Sequence, residues 1–314
     1  MHSLRISFPT EEQRLLTLSA FVMGTIGIAG LIIGGLSGSQ AVITDGIFSL
    51  IGVVIKLFML WTARLVAKER SLRFQFGYWQ MEPLVLCLEG LFILVVVVYA
   101  AWAGAMSLGS GGHAVDFGLA FYYAVLFEAL SGSLYWYLRR KNKTLGSNLV
   151  RYDTVSWYVD AALAAGLLVS FALAYLLQFT PYASYDRYVD PLIMIALSLH
   201  MIHPALHILM PSFRQILGVA PADVHSRVQQ VMDEAAERFH FQDYVTSVQQ
   251  YGDTKIIEID ILISKDYPVS KAEDFDSMRN TIDRALGYPE KQKWVTITFT
   301  TTRRWMAKSL SLQN

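Results

Sequence analysis

The sequence predicts an α-helical membrane domain of six transmembrane helices, followed by a small α+β cytoplasmic domain with the element order αββαβ. Composition supports this, because 54% of the 314 residues are hydrophobic and only 17% are charged, whereas soluble domains carry about 25% charged residues. The charges are also unevenly distributed, with 25 in residues 1–210 and 27 in the shorter remainder. Long apolar stretches occupy the first part, and alternating or amphipathic segments occupy the second.

Six stretches approach the roughly 20 apolar residues that a bilayer-spanning helix needs. The first is too long for the apolar part of a cleaved signal peptide. An even number of spans places both termini on one side of the membrane. Lysine and arginine lie mainly in the loops after the second and fourth spans, so both termini are predicted to be cytoplasmic. The predicted spans are approximately 15–37, 41–63, 83–106, 117–137, 155–178 and 189–210.

The second part begins with a linker at 211–221, continues as a domain at 222–305 and ends in a tail at 306–314. Its first segment has helical periodicity, and two strands flank Gly252-Asp253, a hairpin signal. Ser270 and Glu273 fit a capping box that begins a second helix. Alternating polar and apolar residues then predict a third strand. The predicted elements are a helix at 222–239, strands at 244–251 and 254–264, a helix ending near 286 and a strand at 294–301.

Several classes of function are disfavoured by composition. Lysine plus arginine equal aspartate plus glutamate at 26 each, so the chain lacks the basic surface of a general nucleic-acid binder. The single cysteine, Cys87, excludes an internal disulfide framework and a cysteine-based zinc module. The sequence contains no glycine-rich phosphate loop and no nucleophile arrangement, so we predict neither an enzyme nor a bound cofactor.

Charged residues inside predicted spans are the main functional candidates, because ionisable groups are expensive within a membrane. Asp45 and Lys56 lie in the second span, and Glu89, Glu128 and Asp160 lie near the middle of the third, fourth and fifth. Such carboxylates need protons or counter-charges. They favour a proton-coupled cation path, and the alternative is a polar network that holds helices together.

The remaining charges near the spans have structural interpretations. Glu82, Asp153 and Asp190 lie near predicted helix ends, where water or lipid headgroups can solvate them. Lys56 has two explanations: its ammonium group extends to the membrane surface, or it forms a buried ion pair. The predicted partners for such a pair are Glu89, Glu128 or Asp160.

Three segments resemble the cation diffusion facilitator family. Gly38-Ser39-Gln40-Ala41-Val42-Ile43-Thr44-Asp45 is similar to that family's start of helix 2, and Phe76-Gly77-Tyr78-Trp79-Gln80-Met81-Glu82 to its start of helix 3. Asn148-Leu149-Val150-Arg151-Tyr152-Asp153 with Asp160 resembles its fifth helix. The resemblance implies a homodimer that exchanges a divalent cation for protons by alternating access, commonly in the bacterial plasma membrane.

The family's four transport ligands fall on Phe48, Gly52, Ser156 and Asp160, so the usual tetrahedral zinc site is not intact. A looser alignment gives Asp45, Ser49, Ser156 and Asp160. Asp160, Asp45 and Ser156 are therefore the predicted ligands of the transported cation, and their oxygen atoms favour hard ions such as magnesium or manganese. Glu89, Glu128 and Lys56 are predicted proton or ion relays.

Other possible metal positions receive weaker support from the sequence. Asp260 alternates with isoleucines and is predicted to lie on the solvent face of a strand. His200, His203 and His207 share one helix face, and a polar stripe is the favoured interpretation. The leading hypothesis is a proton-coupled cation exporter whose cation, for example manganese, magnesium, iron or zinc, is unknown. The competing hypothesis is a non-transporting membrane scaffold that binds a partner.

Overall fold

The computed structural model describes residues 10–37, 40–68, 72–75, 77–111, 119–269 and 271–307. The chain divides into two compact units, Met1–Phe213 and Arg214–Asn314. The long elements of the first unit are all α-helices, whereas the second unit combines two helices with a sheet. The membrane-like character is therefore confined to the first unit.

Six long helices occur in the described part of the first unit. Five of them are long and apolar enough to cross a membrane. The exception is the fourth, which has 27 residues but ends in a polar and basic segment. Five apolar spans are thus established, and a sixth is compatible with the length of that helix. The helices are α1 (Glu11–Ser37), α2 (Gln40–Val66), α3 (Met81–Gly109), α4 (Leu119–Leu145), α5 (Asn148–Leu177) and α6 (Asp186–Ile216).

The ends of α5 and α6 extend beyond the predicted spans. α5 begins seven residues before the predicted start because Ser147 caps it, its hydroxyl accepting the amide hydrogen of Val150 at 3.1 Å. α6 continues through Pro204 and Pro211 to Ile216. Apolarity alone marks the hydrocarbon-crossing part of a helix, so polar turns at either end escape a hydropathy argument.

Small residues allow α1 and α2 to pack closely. A β-carbon added to Gly30 would lie 2.8 Å from the Cα atom of Gly46, and one added to Gly34 would lie 2.7 Å from the backbone nitrogen of Ile43. Backbone approach of this kind is typical of helix contacts in membranes, where dispersion replaces the hydrophobic effect. Buried side chains from α1 through α5 form one core cluster, and α3, α5 and α6 share a second.

The second unit has the predicted element order. β1 pairs antiparallel with β2, which pairs parallel with β3, giving the sheet order β1-β2-β3. The parallel pair needs a crossover, which α8 provides. Both helices pack their apolar residues on one face of the sheet. The elements are α7 (Ala222–Phe239), β1 (Asp243–Tyr251), β2 (Thr254–Leu262), α8 (Ala272–Leu286) and β3 (Lys293–Thr300).

The cap of α8 lies one residue later than predicted. The carboxylate of Asp274 accepts the backbone N–H of Lys271 at 3.1 Å, so the reciprocal acid is Asp274 and not Glu273. Ser270 lies outside the described residues. The hairpin and all three strands are confirmed to within two residues of their predicted bounds.

Candidate functional site

A cavity of about 60 Å³ lies inside the helical unit, chiefly between α2, α3 and α5. Apolar side chains form most of its wall, and the polar part of the lining comes from a few residues of these three helices. The volume is enough for an ion with a small number of waters. The polar lining residues are Asp45, Ser49, Lys56, Glu89, Ser156 and Asp160.

Helical spacing explains why these residues meet. Asp45, Ser49 and Lys56 are separated by four and seven residues on α2, which places them on one face. Ser156 and Asp160 are likewise four apart on α5. The polar face of α2 spans about 16 Å along the helix axis, at about 1.5 Å per residue. The cavity therefore belongs to an elongated polar seam inside the helix bundle.

Lys56 is buried in this seam, with 1% of its side chain exposed. Its ammonium group forms an ion pair with Asp153 of α5, which is 0% exposed. The Nζ atom also lies 5.0 Å from the ring centroid of Trp157. The indole N–H of Trp157 donates to the hydroxyl of Ser19 at 2.8 Å, which fixes the ring beneath the ammonium group.

This geometry corrects two sequence-based expectations. Lys56 does not reach the membrane surface, and its ion-pair partner is Asp153 in place of the predicted Glu89, Glu128 or Asp160. Asp153 is not solvated at a helix end, because α5 begins at Asn148 and carries this residue inside the bundle. The serine cap at position 147 was the sequence signal that could have revealed the longer helix.

Two carboxylates beside the cavity retain unsatisfied oxygen atoms. Glu89 is 1% exposed and lines the cavity together with Ser156. Its Oε1 atom, and Oδ2 of Asp160, are buried without a hydrogen-bond partner among the described residues. Buried polar atoms of this kind call for an ion, a proton or water. The cavity therefore has hydrogen-bond acceptors that the described residues do not satisfy.

Asp45 has a partner that the sequence reading missed. The hydroxyl of Tyr123, on α4, donates to Oδ2 of Asp45 at 2.6 Å. Tyr123 is 5% exposed, so this contact orients the carboxylate from the protein side. A tyrosine in an aromatic-rich helix carries no distinctive signal, and only the tertiary structure reveals its contact with Asp45.

The ligand positions expected from the stricter and from the looser family alignment all line the same cavity. Phe48 and Gly52 of the stricter alignment line it, as do Asp45 and Ser49 of the looser one. A β-carbon at Gly52 would make only ordinary contacts, at 3.6 Å from Phe92 and 3.7 Å from Met23. The ring of Phe48 packs edge-on against Tyr99. The cavity wall therefore contains several oxygen-bearing side chains, but an apolar ring, Phe48, occupies the position expected for the family's first ligand.

The remaining candidates lie elsewhere. Glu128 is half-buried on α4 and is not among the described residues that line the cavity. Asp190 accepts a hydrogen bond from Ser170 at 2.8 Å, which links α6 to α5. His203 and His207 contact each other on an exposed face of α6, with their Nε2 atoms 2.9 Å apart. Glu82 is buried at the start of α3.

The acids of the second unit make local structural contacts. Asp260 accepts hydrogen bonds from the hydroxyl of Thr298, across the β2–β3 pair, and from the backbone of Ala307. The Tyr244 hydroxyl donates to Asp233 on α7. Over the described part of the whole chain, no group of three or more histidine, cysteine, aspartate or glutamate residues is arranged to hold a metal ion.

Comparison with known proteins concerns mainly the helical unit that contains the cavity. The model of the cation efflux transmembrane domain family matches residues 16–217. A protein of Synechocystis sp. named as an uncharacterized transporter is 22% identical over 243 residues, covering 76% of this chain and 75% of its own length. The family match spans more than half of the chain and includes every helix that lines the cavity. This chain therefore belongs to the cation efflux family of integral membrane proteins.

Proposed function

We propose that this protein is a secondary transporter that moves a cation through the acid-lined cavity by alternating access. The observation that carries the proposal is the charge balance of the polar seam. Among the described residues, Lys56 is the one buried cation of this seam, and it is accompanied by Asp153, its ion-pair partner, and by Asp45, Glu89 and Asp160 of the cavity lining. Four carboxylates in a dry bundle require further positive charge, which a transported cation or protons can supply.

Asp160 is the proposed central ligand or proton carrier, because its buried Oδ2 atom has no partner among the described residues. Asp45 is the proposed second ligand, held by Tyr123 through one oxygen while the other is available to the cavity. Ser156 adds a neutral oxygen. This donor set is typical of sites for hard cations such as magnesium or manganese, whereas zinc prefers nitrogen and sulfur.

Glu89 is the proposed relay between the cation and the ion pair. Glu89 lines the same cavity as Ser156 and Lys56. When the cation leaves, a proton that binds Glu89 would neutralise the negative charge of its carboxylate. Lys56 would play a different part, since its charge is already committed to Asp153. A relay role for Glu128 stays a prediction from the sequence, because Glu128 is not among the described residues that line the cavity.

The proposal includes a homodimer in the plasma membrane with both termini in the cytoplasm. The orientation is supported by the basic residues at the ends of α2 and α4, which the positive-inside rule assigns to the cytoplasmic side. The homodimer and the plasma membrane are proposed from the family resemblance. On this assignment, α4 is the sixth transmembrane helix, residues 1–210 form the membrane domain, and residues 222–305 form a cytoplasmic domain. An even number of spans is required for both termini to share a side.

The test is cation flux in sealed proteoliposomes under an imposed proton gradient, screened with manganese, magnesium, ferrous iron, zinc and sodium. Asp160→Asn removes a charge while conserving size, and we expect it to abolish flux of the accepted ion. Asp190→Asn is the matched control, because Asp190 lies on α6 outside the cavity lining. Flux in Asp160→Asn equal to that in the control would reject the role of Asp160.

A non-transporting scaffold is the second candidate. It is favoured by the lack, within the described residues, of a convergent group of three metal-ligating side chains. The buried acids weigh against it, since each is costly to retain in a membrane. Ion binding to the purified protein separates the two functions. Absence of binding for all five ions would favour the scaffold, whereas stoichiometric binding that requires Asp160 would favour the transporter.

A further inference from the structure

A second, larger pocket opens between α4, α5 and α6, away from the acid-lined cavity. Its volume is about 450 Å³, and its wall contains three basic residues, Arg139, Lys143 and Arg151. None of the residues lining it is acidic. Arg139 and Lys143 lie four residues apart near the end of α4, and Arg151 lies in the first turns of α5. The pocket therefore concentrates positive charge where the two helices meet.

The three basic groups have no acidic partner within the described part of the chain, where no carboxylate lies within ion-pair distance of any of them. Neighbouring Lys141 differs, because it pairs with Glu11 at 3.5 Å. Like charges one helical turn apart repel each other. Their concentration around one opening is stabilised when an anion occupies it.

Aromatic residues hold the basic groups in position. The guanidinium of Arg139 donates to the hydroxyl of Tyr135 at 2.9 Å and lies 5.8 Å from that ring's centroid. The guanidinium of Arg151 lies 5.7 Å from the ring centroid of Tyr152. Planar guanidinium groups bind phosphate oxygens in pairs, and a lysine adds a point charge. The cluster thus has the chemistry of a phosphate site.

The pocket is also amphipathic, as a lipid headgroup site should be. Val155, Pro204 and the half-exposed ring of Tyr158 supply apolar surface beside the basic groups. Its volume is far larger than inorganic phosphate requires. Basic pockets between transmembrane helices recognise anionic headgroups at the cytoplasmic membrane surface, and tyrosine is enriched at that level.

We propose that this pocket binds the phosphate headgroup of an anionic phospholipid, with its glycerol and upper acyl chain against the apolar wall. The lipid would compensate the charge of Arg139, Lys143 and Arg151, and would link the α4–α5 junction to α6. This site is independent of the transport role proposed for the cavity.

The test uses the full-length protein in nanodiscs of phosphatidylcholine, with and without phosphatidylglycerol, and native mass spectrometry to count retained lipids. We expect the wild type to retain one phosphatidylglycerol per chain in preference to phosphatidylcholine. The double variant Arg139→Gln/Arg151→Gln should bind it about tenfold or more weakly, since it loses two charge-assisted contacts. Arg140→Gln is the matched control, because Arg140 is exposed on the same helix and does not line the pocket.

Equal retention by the double variant and the control would overturn the proposal. If the double variant does not fold, the wild type alone remains decisive: its thermal midpoint should rise with phosphatidylglycerol, and the absence of any headgroup preference would refute the site. Inorganic phosphate added to phosphatidylcholine discs separates the two sources of phosphate. Stabilisation by inorganic phosphate equal to that by phosphatidylglycerol would identify a soluble ligand and reject the lipid.

Discussion

Replacing Lys56 with methionine should destabilise the helical unit more than any other single change in the cavity wall. Methionine keeps most of the length of the lysine stem, so packing is largely conserved while the charge is lost. Asp153, which is 0% exposed, would then be an uncompensated carboxylate, with Oδ2 already lacking a partner among the described residues. The variant also loses the contact between the ammonium group and the Trp157 ring.

The magnitude follows from the burial of both partners. Removing one member of a buried ion pair costs about 3–5 kcal/mol, and the cation–π contact adds about 1–2 kcal/mol when desolvated. We therefore expect Lys56→Met to lower the free energy of unfolding by about 4–7 kcal/mol, the sum of these two contributions. Lys56→Met/Asp153→Asn should recover part of the loss, because position 153 no longer carries a buried unpaired charge. The residual cost is the partly unsatisfied amide, at about 1–3 kcal/mol.

These free energies are measured by equilibrium unfolding in mixed detergent micelles, in which the fraction of denaturing detergent is raised stepwise. The cycle of wild type, both single variants and the double variant isolates the coupling between the two residues. Two results would refute the reasoning: a loss below about 1 kcal/mol for Lys56→Met, the size of an ordinary substitution, or a double variant that is no more stable than the Lys56 single variant.

Two further predictions concern close packing and pH. Gly90→Ala should destabilise the helical unit by about 1–3 kcal/mol in the same unfolding assay, because its β-carbon would lie 2.7 Å from the backbone nitrogen of Leu209. Gly35→Ala, whose β-carbon meets no described atom within 4 Å, is the control, and equal losses in the two variants would contradict the close α3–α6 approach. Burial and the hydrogen bond to Asp233 raise the pKa of Tyr244 to about 12, above the ordinary value of about 10. The neutral phenol is therefore favoured in the folded state, and its stabilisation is complete below pH 10 and lost as the pH rises from about 10 to about 12. Tyr244→Phe should lose less stability over that window when unfolding is followed by circular dichroism, and an unchanged pH profile would contradict the assignment.

The helices and strands were largely predictable because their signals are local. Apolar length located the spans, and alternation around Gly252 located the hairpin. The misplaced start of α5 has a simple cause: its first turns are polar, so a hydropathy argument excludes them although Ser147 caps the helix there. That error of seven residues placed Asp153 at the membrane surface and removed it from the set of possible partners for Lys56.

The sequence by itself determined which residues are candidates for the transport chemistry proposed for this protein. Acids and a lysine within apolar segments are costly wherever they point, so Asp45, Lys56, Glu89 and Asp160 could be identified without coordinates. The family resemblance followed from short motifs in their order along the chain.

Only the tertiary structure decided which of these residues meet. Lys56 and Asp153 are 97 positions apart, and Asp45 and Tyr123 are 78 apart. Their pairing depends on the rotation of each helix and on its height relative to its neighbours. Packing determines both the rotation and the height of a helix, as in the close glycine contacts of α1 with α2. A shift of one helix along its neighbour by one turn, about 5.4 Å, would exchange one carboxylate partner for another.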